Sequence, residues 1–354
     1  MQRILVTGGA GFVGSHLAMS LRAWREGLSV VALDNLRRRG SELNLARLRT
    51  AGVEFMHGDI RNAEDLDAVG HVDLILECSA EPSVLAGYGG APGYVVNTNL
   101  GGTVNCLELA RRHGAGMVFL STSRVYPMAP LAGLALEEHD TRFEPAPAQT
   151  VPGVSPEGVR EEFPLDGARS LYGATKLASE LLATEYAAMY GLPVVINRCG
   201  VLTGPWQMGK VDQGVVVLWA ARHFFGGPLK YIGYGGAGKQ VRDMLHIDDL
   251  ARLVWYQLTH LDTVRGQVFN VGGGRGISVS LCELTALCEE ITGKHIEITA
   301  EPTTRPADIP WYVTDNTKVT GATGWQPQWG AHGIVEDVCR WIADHRTELA
   351  AVLG

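Results

Sequence analysis

The chain has 354 residues, 46 % hydrophobic and 19 % charged, a balance that describes a soluble globular protein with room for one large domain or a domain and a second lobe. Its net charge of −8 argues against a general nucleic-acid or membrane binder, and the one dense basic run, Arg37-Arg38-Arg39, is too short to change that. The six cysteines form no CxxC pair and no apolar run resembles a signal peptide or a membrane span, so reduced thiols, no metal site and a cytoplasmic location are expected.

The first predicted element is a strand at Ile4-Leu5-Val6, followed by Thr7-Gly8-Gly9-Ala10-Gly11-Phe12-Val13-Gly14 and a helix-like stretch, His16 to Leu21. Strand, glycine-rich turn and helix start make a pyrophosphate site, because helix amides and the positive helix end face the anion and side chains there would block its approach. Gly9-x-Gly11-x-x-Gly14 fits the dinucleotide fingerprint. The second predicted strand, Ser29 to Leu33, ends at Asp34, 34 − 14 = 20 residues past Gly14, where an acid that accepts from the adenosine ribose belongs. That acid favours NAD over NADP, with Arg37 to Arg39 as the counter-argument.

Further strands are predicted at Val53–Met56, Leu74–Cys78, Met117–Ser121 and Val194–Asn197, alternating with helices such as Asn99–Arg112 and Gly173–Tyr190. Alternation of this kind implies βαβ units, hence an α/β, Rossmann-type doubly wound parallel sheet whose ligands bind at the carboxyl ends of the strands. Residues 127–168, rich in Pro, Gly, Ala and acids, form an insertion that is either a functional lid or a surface loop. The expected division is an NAD-binding domain at 1–200, carrying that insertion, and a smaller, mainly substrate-binding lobe at 201–354, the chain crossing between them.

Tyr172-Gly-Ala-Thr-Lys176 carries the reaction chemistry. Positions i and i+4 share a helix face, so the phenol and the ammonium sit side by side. A free phenol has a pKa of about 10, and a neighbouring cation favours the phenolate, which makes Tyr172 a usable general base. A hydroxyl at the end of a facing strand completes the set, and Thr122 or Ser123 offers it.

These motifs resemble the extended short-chain dehydrogenase/reductase family, specifically its nucleotide-sugar epimerases and dehydratases, from Gln2 to about Trp329. The ordered matches also include Gly58-Asp59-Ile60, Asn99 in NTNLGGT, Gly204-Pro205, Arg242-Asp243 and Arg305-Pro-Ala-Asp308. The resemblance implies NAD held in the first lobe and a nucleotide-diphospho-sugar between the lobes. It assigns the pyrophosphate to Gly8, Gly11 and Gly14, the adenosine ribose to Asp34, the adenine to Asp59 and Ile60 and the nicotinamide ribose to Lys176, with Phe12, Val13, Asn35, Ser79, Ala80, Asn99, Tyr172 and Cys199 also on the cofactor. It makes Thr122, Tyr172 and Lys176 catalytic, with Thr122, Ser123, Arg124, Gln213, Arg242 and Arg305 on the substrate. The two arginines lie in polar stretches without apolar periodicity, so burial for packing is not expected, and guanidinium suits phosphate geometry.

Within the family, 4,6-dehydratases carry Thr-Asp-Glu before Val-Tyr, whereas this chain reads Thr122-Ser123-Arg124 and lacks both carboxyls, which disfavours dehydration. The pattern is most similar to epimerases acting at C2 of CDP-paratose, which share a Thr-x-basic-Val-Tyr strand, a long insertion before the Tyr and a segment seen here at Gln207–Gly214. Three departures concern the sugar: Cys78-Ser-Ala-Glu81 replaces His-Leu-Ala-Ala and brings an acid toward the cofactor, Pro127 replaces a Gly, and Thr203 replaces a Tyr. The expectation is an isomerase that oxidises the sugar transiently and returns the hydride to the opposite face, working as a homodimer or homotetramer. Alternatives are a UDP-sugar 4-epimerase, a net oxidoreductase or dehydratase, and a non-catalytic NAD-binding module.

Overall fold

The computed structural model describes residues 2–209 and 213–354. The chain divides into two compact units. Unit 1 comprises Met1–Val125, Ser170–Arg198 and Leu250–Phe269; unit 2 comprises Tyr126–Arg169, Cys199–Asp249 and Asn270–Gly354. The insertion at 127–168 groups with unit 2, and residues 250–269 group with unit 1.

Unit 1 is built on a seven-stranded sheet whose members are β1 (Arg3–Thr7), β2 (Ser29–Asp34), β3 (Glu54–His57), β4 (Leu74–Glu77), β5 (Gly116–Thr122), β6 (Val194–Cys199) and β7 (Val268–Val271). Their order is β7-β6-β5-β4-β1-β2-β3. Pairings among β1 to β5 are parallel, with Val6 opposite Ala32 and Leu76. Beyond them, Gly266 N–H donates to Val194 O and Ile196 N–H to Gln267 O, so the chain advances in step along β6. β1 and β5 are buried almost throughout, as strands covered on both faces must be, and their sequences are correspondingly apolar.

Alternate residues face opposite sides of such a sheet. Leu5, Val31, Ile75, Met117 and Ile196 pack on one side in a common core with Cys106, Leu107 and Ala110 of a helix, α2 (Gly102–His113), and Ala183 of another, α3 (Leu171–Tyr190). The helix after β1, α1 (Phe12–Trp24), buries Leu17, Ala18 and Leu21. The helix expected from Asn99 opens as a π-helical turn, Asn97–Gly101, before α2. There the Asn99 carbonyl accepts from both Thr103 Oγ1 (2.7 Å) and Ser179 Oγ (3.1 Å).

Unit 2 centres on a strand at Val241–His246, paired with Val201–Thr203, Ser278–Ser280 and Trp311–Tyr312. Its longer helices are Val215–Phe225, Leu281–Thr292 and Ala331–Asp344. The insertion folds as a short helix, Met128–Ala132, and two hairpins, Leu136–Glu138 with Phe143–Pro145 and Val154–Ser155 with Gly158–Val159. Backbone bonds tie it down: Phe143 N–H donates to Lys239 O (2.9 Å) and Val159 N–H to Val313 O (2.8 Å). Arg142 donates to Ser278 and Glu283, and Arg160 and Ser155 both donate to Asp315. Among the described residues no helix is long and apolar enough to cross a membrane.

Candidate active site

The glycine turn between β1 and α1 is made of backbone packed on backbone. Gly8 has φ +63°, a conformation that L side chains rarely adopt, and a Cβ there would lie 3.0 Å from Cys78 O and from Ser79. A Cβ on Gly14 would lie 2.2 Å from Gly8 O. The loop after β4, with Ser79 and Ala80, thus runs directly against the turn. α1 starts at Gly11 with no side-chain cap, so the amides of Phe12, Val13 and Gly14 lack a capping side chain at the positive end of a 13-residue helix. A diphosphate fits such a cradle.

Asp34 closes the end of β2. Its carboxylate accepts the N–H of Ala10 (3.1 Å) and of Leu36 (2.7 Å), so the acid that would meet the ribose also braces the glycine turn. Burial pushes its carboxyl above the usual range, and the backbone N–H groups of Leu36, Ala10 and Gly11 oppose that rise. Leu36 adopts φ +54°, stabilised by that bond. Asn35 donates to Asp59 (2.8 Å), and Arg61 grips Asp59 through Nε (2.9 Å) and Nη2 (2.6 Å). The Arg61 hydrogen bond leads the causes that hold Asp59 down at about 2. Ile60 is buried against Gly102, where a Cβ would lie 2.3 Å from it. Arg37, of the basic run, stacks on the Tyr94 ring at 3.9 Å.

The catalytic candidates lie on β5 and α3, which are tied together by the contacts of Ser121 with Glu180 and of Phe119 with Lys176. Ser170 caps α3 by accepting from Gly173 N–H (3.2 Å), and Tyr172, Lys176 and Glu180 then recur every four residues on one buried face. The far end of that face is fixed: Glu180 accepts from Ser121 Oγ (2.5 Å) and from Nε and Nη2 of the buried Arg198 on β6. Thr122 ends β5, and its Oγ1 accepts the Arg124 N–H (3.2 Å), which caps the turn Ser123–Val125 and leaves the hydroxyl hydrogen as a donor. Ser123 and Arg124 are half-buried on that turn, with no carboxyl among them. Asn99 clasps the loop after β4 to α3: it accepts from Glu81 N–H (2.8 Å) and donates to Glu81 O (3.1 Å) and Thr175 Oγ1 (3.2 Å). Cys199 is buried at the end of β6.

The acid that comes to this place is Glu77, which sequence reasoning missed. Its carboxylate lies 3.5 Å from Lys176 Nζ, with exposures of 0 % and 2 %. The ammonium also sits 3.9 Å over the Phe119 ring. Glu81 lies on the loop after β4, where Asn99 holds its backbone and its carboxylate accepts from Ser83 N–H at 3.4 Å. β4 ends one residue before Cys78, which puts Glu77 inside the sheet. A charged residue closing an apolar run reads in sequence as a surface stop, so no sequence signal pointed inward.

In unit 2, Arg242 is not on a polar stretch. It occupies Val241–His246, where five of six residues are buried, and it is the half-buried exception. Its guanidinium is held by Asp308 Oδ1 (3.0 Å), Ile309 O (2.6 Å) and Val241 O (2.7 Å). Arg305 is half-buried three residues before that Asp308, and Ala307 between them has φ +61°. Gln213 is half-buried just before the helix Val215–Phe225. Lys210, Val211 and Asp212 of the Gln207–Gly214 segment lie outside the described residues.

A family model described as the NAD dependent epimerase/dehydratase family matches residues 4–272. The chain is 33 % identical over 353 residues to a CDP-paratose 2-epimerase from Salmonella typhi, covering 96 % of this chain and 99 % of that protein. Among solved structures it resembles a dTDP-glucose 4,6-dehydratase from Streptomyces venezuelae with NAD bound (TM-score 0.80, 28 % identity, 98 % of each chain). It also resembles a UDP-glucose 4-epimerase from Thermus thermophilus in complex with NAD (TM-score 0.77, 28 % identity, 97 % and 99 % of the chains).

Proposed function

The chain belongs to the NAD dependent epimerase/dehydratase family, and we propose that within it the protein inverts C2 of a CDP-linked sugar. The observation that carries this reading is the full-length similarity to the CDP-paratose 2-epimerase, supported by the turn after Thr122, where Ser123 and Arg124 stand and no carboxyl serves water loss.

The residues present suit the cofactor: an uncapped α1 end for the diphosphate, a Gly8–Gly14 cradle that a Cβ would fill, and Asp34 for the adenosine ribose. Bound NAD supplies a hydride acceptor that can also return the hydride. Thr122 holds the reacting sugar hydroxyl by hydrogen bond. Tyr172 removes its proton as the carbon is oxidised, with Lys176 one turn away favouring the phenolate and also holding the nicotinamide ribose. Tyr172 then returns the same proton to the ketone oxygen after the sugar has presented its other face, so neither protons nor electrons are lost overall. Phe12, Val13, Asn35, Asp59, Ile60, Ser79, Ala80, Asn99 and Cys199 complete the cofactor site; Ser123, Arg124 and Gln213 face the sugar; Arg242 and Arg305 grip the nucleotide diphosphate.

We place the enzyme in the cytoplasm, as suits six cysteines without a CxxC pair, and as a homodimer or homotetramer, as suits the exposed Leu181, Met189 and Tyr190 on α3. The test is a panel of CDP-, UDP-, GDP- and dTDP-sugars without added NAD, with product stereochemistry read by NMR. Conversion of CDP-paratose to its C2 epimer is expected. Turnover of UDP-glucose at C4 alone, or release of NADH, would replace this reading.

A further inference from the structure

The buried pair at the end of β4 has no part in the chemistry described so far. Glu77 is fully enclosed, and apart from the Lys176 ammonium at 3.5 Å neither of its side-chain oxygens finds a hydrogen-bond partner among the described residues. An ionised carboxyl in such a place is stable only beside an opposite charge. Lys176 for its part is nearly as enclosed, with an aromatic face on one side and this carboxylate on the other. The titratable groups about the pair, among the described residues, are Cys106 on α2, whose thiol burial pushes far up and so keeps neutral, Tyr172, one turn before Lys176 on α3, and Glu180, one turn after it, whose charge is matched by Arg198. The pair is therefore close to neutral as a unit, and the cation that helps Tyr172 is partly offset.

We propose that Glu77 is a positioning residue: it holds Lys176 in place as a buried counter-ion and sets how much of the lysine's positive field reaches the Tyr172 phenol. The inference rests on the reading of Tyr172 as the general base. Burial drives Glu77 toward its neutral form, and the charge of Lys176 opposes this most. A carboxylate held in this balance moderates the lysine; a neutral amide of the same shape would not.

The experiment titrates Tyr172 directly and requires no turnover. The tyrosinate absorbance of the purified holoprotein is followed against pH and subtracted from that of a matched Tyr172→Phe protein. Glu77→Gln removes the offsetting charge, so the Tyr172 midpoint is expected to fall by about 0.5–1 pH unit. Glu77→Asp withdraws the charge by one methylene and moves it the same way by less. A midpoint that stays put in both variants overturns the proposal; a rise in place of the fall means that the buried ammonium has lost its proton without its counter-ion, so that Glu77 still governs the lysine's charge. If neither single variant folds, the Glu77→Gln/Lys176→Met double variant decides: it folds if Glu77 is there for Lys176, and fails if Glu77 merely supports the strand end, which sinks the idea. Retention of turnover by Tyr172→Phe would instead remove the general-base reading, a separate outcome.

Discussion

Replacing Gly14 by Ala tests the glycine cradle at its tightest point. The added Cβ would sit 2.2 Å from Gly8 O, 2.7 Å from Gly8 C and 2.9 Å from Gly9 Cα. All three are backbone atoms, so no side chain can swing aside, and α1 must move off the turn. Overpacking of this kind costs about 1–3 kcal/mol, and three rigid contacts place Gly14→Ala at the upper end. A helix start displaced off the turn also loses amide hydrogen bonds to the charged diphosphate, each contributing about 1.5–3 kcal/mol, so NAD+ affinity falls by roughly tenfold to a hundredfold. Gly11→Ala is the control. Its Cβ meets only Gly8 O, at 3.1 Å, so the melting temperature should hardly change while the side chain still crowds the anion. Isothermal titration of NAD+ into cofactor-stripped protein and thermal melts read both effects. Gly14→Ala should lose stability and affinity, Gly11→Ala affinity alone. A Gly14→Ala protein that melts like wild type and binds NAD+ within a few-fold of it would refute the steric argument.

Tyr172→Phe should keep its fold and its NAD while turnover drops about a hundredfold or more, and Thr122→Val should cost less because Ser123 substitutes in part; steady-state rates on the purified variants check both. Arg242→Met and Arg305→Met should each weaken nucleotide-sugar binding by about tenfold to a hundredfold and leave NAD occupancy unchanged, as read by calorimetry. Loss of NAD at unchanged sugar affinity would contradict their proposed place. Asp59, held at about 2 against 3.8 in the unfolded chain, adds stability that is fully present above pH 3.8 and disappears as pH falls through about 2. Arg61→Gln should therefore melt below wild type at pH 7 and match it near pH 2, with solvent screening keeping the gap small.

What the sequence could reveal followed from how local each feature is. Buried parallel strands read as unbroken apolar runs, so β1, β2, β4, β5 and β6 were recognisable to within a residue or two. The turn at Gly8–Gly14 and the Tyr172–Lys176 spacing are short-range patterns with their own chemistry. The hairpins at 136–145 and 154–159 were not readable, because their register is dictated by Lys239 and Val313, far away in the chain. The same holds for Arg242, whose guanidinium is held by Asp308 and Ile309, 66 and 67 residues on. Glu77 escaped notice because a charged residue closing an apolar run reads as a surface stop, and the Lys176 ammonium that meets it inside lies far along the chain.

The order of the central sheet also bears on how this chain emerges from the ribosome. β6 is complete by Cys199, yet its outer neighbour begins only at Val268. Until some seventy further residues have been made, at about 5–20 residues per second, β6 is a bare apolar edge, available to another nascent chain. No truncation near residue 200 yields a self-sufficient nucleotide-binding half, since Leu250–Phe269 belongs to it. Slowing translation while residues 200–270 emerge should therefore raise aggregation, whereas a pause once Val271 has left the ribosome should be harmless.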